Sequence, residues 1–249
     1  MKPSSFAQIY HAHHERQPED LPFWLELVAQ HPAPVLELGC GTGRVLIPIL
    51  QASSPVIGLD NDRSMLAALK ANTPLALQPG LKLIQADMGA FNFGCRFGLI
   101  LLPCNTLSTL EPDLRQRMLN RLRNHLLPEG CFAASAPNPQ VYLDLPAYGE
   151  PEIEEVFPHP QDGEPVQVSS EWKRTKSHFI LTWHYDHLQP DGTAFHYHAT
   201  TRHSLAPPQT YLDELESAGL ALQALYGDFD RAHFDQESPH MIIVAGIDG

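Results

Sequence analysis

The sequence has no run of about 18 or more apolar residues, so no membrane-spanning helix is expected. Positive charge is scarce: 16 Lys+Arg against 29 Asp+Glu leave a net charge of −13, and no Lys/Arg run breaks that balance. An acidic surface is repelled by phosphate backbones and anionic lipid, so neither nucleic acid nor membrane is an expected partner. Cysteine is sparse as well. The four thiols, Cys40, Cys95, Cys104 and Cys131, have no paired metal-ligand spacing. They sit in or beside apolar runs, as reduced core thiols do in the cytoplasm, where this chain is expected to reside. No metal is expected. The first residues, MKPSSFAQIYHAHHER, hold no apolar core of a secretory signal. Charged residues reach only 18%, too few for a solvated disordered chain, and there is no internal repeat or low-complexity tract.

What is present is 249 residues with 43% apolar content, enough for one generous domain or one domain with an insertion. Residues 21–31 carry apolar side chains at helical spacing, with Pro22 tolerated near the start. Short apolar strands follow at 34–38, 55–60, 81–87, 97–103 and 131–136, alternating with helices at 43–52, 62–71 and 112–127. Asn61 or Asp62 is the expected N-cap of the second of these helices. The alternation predicts a parallel sheet covered on both faces. It breaks near residue 137, where seven prolines fall within 137–165. Period-two alternation then marks 166–204, with Asp191-Gly192 as a turn. The expected division is a leader at 1–32, an α/β core at 33–149 and 205–249, and an inserted antiparallel lid at 150–204. Residues 208–219 are helical, and 220–227 and 240–247 form two last strands.

The segment VLELGCGTGR (35–44) joins a strand to a helix through a Gly-rich turn. Gly39, Gly41 and Gly43 let the backbone turn sharply and let a ligand approach the main chain. In an open α/β sheet this turn lies at the crevice beyond the carboxyl ends of the strands. A nicotinamide dinucleotide fingerprint wants GxGxxG, and Arg44 stands at its third Gly. Glu37 at the strand end suits a ligand amine better than a pyrophosphate. Asp60 ends the second strand about 20 residues on, the spacing of a carboxylate that holds ribose hydroxyls. Asp87 and Met88 close the third strand, an acid for an adenine amine beside an apolar face. A structural turn remains the other reading of the glycines, and a helix N-cap or solvated turn that of each acid alone.

The runs VLELGCGTGR, VIGLDNDRSML, LIQADM and LILLPCNTLSTL, in that order, resemble a class I S-adenosylmethionine-dependent methyltransferase. The ending GDFDRAHFDQESPHMIIVAG resembles the closing antiparallel pair of that fold, and IYHAHHERQPEDLPFW the leader of small bacterial members. The resemblance implies a Rossmann-like seven-stranded sheet of order 3-2-1-4-5-7-6 with strand 7 antiparallel. It implies S-adenosylmethionine as cofactor, with Gly39, Cys40 and Gly41 lining its methionine moiety and Asp60 binding the ribose. Asn61 would lie beside Asp60, Met65 would pack on the adenine, and Asp87 and Met88 would read its edge. Pro103, Cys104 and Asn105 would lie below the sulfonium, and Tyr10 would fold over the cofactor. The inserted sheet resembles that of members acting on small molecules, so the expected partner is a small soluble methyl acceptor.

Methyl transfer from a sulfonium is an in-line displacement in which the protein positions the acceptor and excludes water. A base is needed only where the acceptor must lose a proton. No GxSxG nucleophile motif supports a hydrolase. In a hairpin about Asp191-Gly192, His184 and Asp186 share one face, as do His196, His198, Thr200 and Arg202. Phe179, Leu181, Trp183 and Tyr185, with Phe195 and Tyr197, would form the opposite, buried face. The polar face reads as a solvated or subunit-facing surface, as an acceptor-lining face or as a metal site. On the second reading His184 and His198, with Asn105, are the candidate bases or acceptor-positioning groups. His11, His13 and His14 read as a polar leader, as an acceptor-binding segment or as a metal site. Arg115, Arg117, Arg121 and Arg123 leave a solvated helix face, an anionic substrate or a homodimer contact open. The expected function is methyl transfer to nitrogen or oxygen of a small molecule. The alternative is a non-catalytic sensor or assembly subunit that binds the same or another adenosine ligand.

Overall fold

The computed structural model describes residues 5–16, 19–52 and 55–247. Two leader helices, α1 (Ser5–His14) and α2 (Leu21–Gln30), precede an alternating core. It runs β1 (Val35–Leu38), α3 (Leu46–Gln51), β2 (Val56–Asp60), α4 (Arg63–Asn72), β3 (Lys82–Gln85), β4 (Phe97–Leu102), α5 (Pro112–His125) and β5 (Leu126–Pro137). A short helix α6 (Pro139–Leu143) leads to four strands, β6 (Tyr148–Pro158), β7 (Pro165–Arg174), β8 (His178–Leu188) and β9 (Ala194–Ser204). Helix α7 (Pro208–Ser217) and strands β10 (Leu220–Tyr226) and β11 (His240–Ile247) complete the chain.

The core strands form one seven-stranded sheet ordered β3-β2-β1-β4-β5-β11-β10, with β11 antiparallel to both neighbours. This is the expected Rossmann-like topology. Every residue of β1 and β4 is buried, because helices cover both faces. Alternation sends Leu36, Leu38, Ile100 and Leu102 into one layer and Val35, Leu99 and Leu101 into the other. Each such side chain contributes about 1.5–3 kcal/mol through burial, so the sheet edge carrying the loops is firmly held.

Local differences from the sequence reading have physical causes. Gly39, Gly41 and Gly43 have φ of 63°, 50° and 93°, so the chain cannot be helical before residue 44, and α3 begins at Leu46. A Cβ at Gly43 would lie 2.8 Å from Leu69 Cγ, so the turn is closed to larger residues. Asp62 is the N-cap of α4, its Oδ1 accepting from the backbone N–H groups of Ser64 and Met65. β3 ends at Gln85, which leaves Asp87 in the following turn. α5 ends at His125, ahead of Pro128, and β5 starts at once, with its pairing to β4 shifting register between Phe97 and Leu99.

The second sheet is antiparallel in the order β6-β7-β8-β9. β6 carries Pro151 and Pro158 because it is an edge strand, and its pairing is irregular at Gly149/Glu152 and Ile153/Glu155. Its inner face packs on α1, where Phe157, Val166, Val168 and Tyr185 enclose Ile9 with Phe6 and Tyr10 beside them. Phe195 corrects the hairpin reading: it pairs with His187 one step from the turn and is 56% exposed rather than buried.

Candidate active site

The three loops after β1, β2 and β4, with the turn after β3, meet at one crevice. In the 39–44 loop, Cys40 N–H donates to Leu59 O at 3.1 Å and Gly43 N–H to Cys40 O at 2.9 Å. Gly41 N–H donates to Asp60 Oδ2 at 2.8 Å, and Asp62 N–H to Asp60 Oδ1 at 2.8 Å. Burial pushes the Asp60 carboxyl up, and these backbone donors pull the other way. Gly39 lies between Met88 and Thr106: a Cβ there would meet Met88 Cε at 3.6 Å and Thr106 Cγ2 at 3.7 Å. Asp87 is exposed, with Oδ1 accepting from Gly89 N–H at 2.7 Å. Asn61 O accepts from Gln85 Nε2, and Met65 is half-buried at the start of α4.

Glu37 is 2% exposed, and its Oε2 has no hydrogen-bond partner. Burial raises its carboxyl well above the usual range, and Arg44 opposes that only in part. At the end of β4, Cys104 and Asn105 both adopt left-handed backbone conformations, φ 60° and 58°. Two successive non-glycine residues there mark a functional strand end. Asn105 N–H donates to Ser135 Oγ at 3.1 Å, while its buried Oδ1 is unpartnered. Pro103, ahead of them, is buried.

Sequence reasoning missed the group that ties the leader to this crevice. Arg44 Nη1 and Nη2 donate to Asp20 Oδ1 and Oδ2 at 2.5 and 2.6 Å, a two-pronged pair, and Nη2 also reaches Cys104 Sγ at 2.9 Å. Trp24 Nε1 donates to Asp20 Oδ2 at 2.8 Å. The Asp20–Trp24 spacing, one helical turn, was the available signal. Burial, with the Cys104 thiol, Arg44 and Asp60 nearby, pushes the Tyr10 hydroxyl up to about 12. Its neighbour on α1, His11, lies 3.0 Å from Thr42 Oγ1, which sets this turn of the helix against the 39–44 loop.

The leader histidines are ordered in α1. Thr42 Oγ1 lies 3.0 Å from His11 Nδ1, and Tyr185 Oη 3.0 Å from His13 Nδ1. His14 stacks on Tyr10 at 3.9 Å and 22°, with Trp183 edge-on at 5.5 Å. By contrast, His184 and His198 pair directly across β8 and β9 on the face opposite Trp183 and Tyr185. His184 Nε2 is 3.1 Å from Glu171 Oε1, and His198 is exposed. The shared polar face is present, and it lies on the side of the sheet opposite Tyr185, which packs on α1.

His159, Asp162 and His187 form the one metal-like cluster among the described residues. Asp162 Oδ1 lies 3.0 Å from His159 Nδ1 and 3.2 Å from His187 Nε2. The two rings are stacked at 4.0 Å and 14°. Near-parallel stacked rings cannot both direct an in-plane lone pair at one ion, so the cluster is a hydrogen-bonded stack.

The crevice residues fit an adenosyl-sulfonium ligand. Glu37 leaves a buried carboxylate oxygen for an α-ammonium, Asp60 keeps free lone pairs for a diol, and Met88 lays an apolar face against Gly39.

A family model described as a methyltransferase domain matches residues 35–130. Among solved structures, the chain is similar to the CcbJ methyltransferase from Streptomyces caelestis, at 25% identity over 93% of this chain and 96% of that one, with a TM-score of 0.75. An S-adenosylmethionine-dependent methyltransferase from Clostridium acetobutylicum is 14% identical, covering 99% and 100% of the two chains, with a TM-score of 0.81. The sugar N-methyltransferase KedS8 from Streptoalloteichus is 18% identical over 96% and 93%, with a TM-score of 0.74. No curated protein matches by sequence. The motif order, the sheet and these likenesses lead to one assignment: residues 35–130 carry a methyltransferase domain, and the chain is an S-adenosylmethionine-dependent methyltransferase of the class I fold, with S-adenosylmethionine as its cofactor.

Proposed function

We propose that the protein methylates a nitrogen atom of a small soluble molecule by in-line displacement. When bound, S-adenosylmethionine supplies a methyl group on a positively charged sulfur, an already activated leaving group. The observation that carries the reading is the crevice at the 39–44 loop. There the unpartnered Glu37 carboxylate, the Asp60 carboxylate and Met88 line one loop, against which α1 docks through His11. Glu37 faces the α-ammonium group, and the backbone of Gly39, Cys40 and Gly41 lines the methionine moiety. Asp60 accepts from the ribose hydroxyls with Asn61 beside it, Met65 packs on the adenine, and Asp87 and Met88 read its edge. Gly43 supplies the turn. Pro103, Cys104 and Asn105 form the floor below the reacting centre, and Tyr10 closes it from water.

The state of the histidines favours nitrogen over oxygen. A hydroxyl acceptor has to lose a proton to a competent base, whereas a neutral amine attacks with its own lone pair. Burial pulls His14 down to about 3 and His203 to about 4, which makes both poor bases near neutral pH. The solved structures of KedS8 and of MtfA, a glycopeptide N-methyltransferase, are N-methyltransferases by description, which supports the same choice.

The test is release of S-adenosylhomocysteine with a panel of amino sugars and small amines beside their hydroxy counterparts. Turnover confined to the amines is expected. Turnover confined to the hydroxy compounds overturns the choice of nitrogen.

A further inference from the structure

We propose that His14 Nε2 accepts an N–H of the acceptor amine and so turns the nitrogen lone pair toward the transferred methyl group. The inference rests on the assignment of the crevice to S-adenosylmethionine and of nitrogen as the target.

The hydrogen-bond pattern sets the tautomer. His14 Nδ1 lies 3.0 Å from the Tyr10 carbonyl oxygen, which can only accept, so Nδ1 carries the hydrogen and Nε2 the lone pair. The three leader histidines differ at this point. His11 faces Thr42 with Nδ1 and Glu15 with Nε2, and His13 faces Tyr185 with Nδ1 and Glu154 and Glu155 with Nε2. Both bridge α1 to its surroundings: His11 to the cofactor loop, His13 to the lid. His14 lies on the same stretch of helix, and the hydrogen bonds of the described residues leave its Nε2 without a partner. Its place is fixed by Tyr10 on one side, stacked at 3.9 Å, and by Trp183 of the lid's inner face on the other. His11, one turn back on α1, touches Thr42 of the 39–44 loop, and Trp183 of the second sheet meets the His14 ring edge-on, so the ring lies between the crevice and that sheet, where an acceptor enters. Burial keeps the imidazole neutral, so it receives a hydrogen bond and does not compete for protons.

In the reaction the amine lone pair forms the new N–C bond. The C–S bond breaks, and its electron pair stays on sulfur, which becomes neutral. The nitrogen becomes an ammonium, keeps its N–H on His14 Nε2 until release, and gives up one proton to bulk water. His14 takes no proton.

Sinefungin, in which a carbon bearing an amine replaces the sulfur bearing the methyl group, and S-adenosylhomocysteine, which has a bare thioether at that place, separate the outcomes. In protein labelled with 15N-histidine, the His14 Nε2 resonance is identified by its loss in His14→Phe. Sinefungin is expected to move it upfield, and S-adenosylhomocysteine to leave it in place. His14→Phe is expected to lose roughly fivefold to tenfold in affinity for sinefungin and little for S-adenosylhomocysteine, as one hydrogen bond of about 1 kcal/mol requires. A still resonance with both compounds bound, or equal loss of both affinities, overturns the role of His14. Failure of the unaltered protein to bind either compound overturns the cofactor assignment itself.

Discussion

The two sheets put chemistry in different places. In the seven-stranded sheet the interiors of β1 and β4 are wholly buried, and the proposed site is confined to the loops at their carboxyl ends. There the backbone shapes the crevice: positive-φ glycines and N–H groups define it, and Asp60 is held by two of those N–H groups. In the four-stranded sheet the strands themselves carry the polar groups, and adjacent residues have opposite surroundings. Tyr185 is 0% exposed against α1, while its neighbours His184 and Asp186 face outward. A residue's role is therefore set by loop position in the first sheet and by face in the second.

Breaking the first sheet's device has the largest expected effect. Asp60→Ala removes a carboxylate that holds the Gly41 loop and is proposed to bind the ribose, so affinity for S-adenosylhomocysteine is expected to fall by about 100-fold or more in calorimetry while circular dichroism stays unchanged. Unchanged affinity would exclude the ribose role.

Acid probes the lid's inner face. Ser108 Oγ donates to Asn105 O, so His203 Nδ1–H donates to Ser108 Oγ, in a site where His203 is 5% exposed. Its pKa is lowered to about 4 by burial. The unfolded chain takes up a proton below about 6.5 that the folded chain refuses until about 4. His203 thus contributes stability that is complete above about 6.5 and lost as pH falls toward 4. Denaturant titrations at pH 6.5 and 5 are expected to differ by about 2 kcal/mol from this group. His203→Asn, which keeps a donor to Ser108, removes that part of the difference. An identical pH slope in the variant refutes the linkage.

The link between leader and lid is smaller. Tyr185→Phe deletes the buried hydroxyl that faces His13 Nδ1 and lowers stability by about 1 kcal/mol. A change within 0.3 kcal/mol in denaturant titrations, roughly the limit of additivity, means the hydroxyl contributes nothing.

These sizes follow how much of each sheet is legible in sequence. The core reads well because its signals are local: glycines that permit positive φ, and a carboxylate at a strand end about 20 residues after the first of them. Even so, Asp87 stands beyond the strand end, since β3 stops at Gln85. The lid's period-two pattern gives the hairpin and the cross-strand pairing of His184 with His198. It does not give which face is covered, because that depends on α1, a helix more than 150 residues away in sequence. Phe195 shows the limit, apolar by type yet exposed beside the turn of the hairpin. The Asp20–Arg44 pair was hidden for the same reason, joining a leader helix to a loop through tertiary packing.

The smallest effect is the sharpest test of that asymmetry. His184 and His198 are opposed across β8 and β9 on the outer face, and His184 meets only the partly exposed Glu171. Exposed pairs of this kind contribute little, about 0–1 kcal/mol. His184→Ala and His198→Ala are therefore expected to leave stability within about 0.5 kcal/mol, and cofactor affinity and turnover unchanged. His14→Phe, on the covered side of the same sheet, is expected to change ligand discrimination. A loss of turnover in either outer-face variant, at unchanged stability, would mean that the acceptor reaches the outer face and that the covered side is not the acceptor's side.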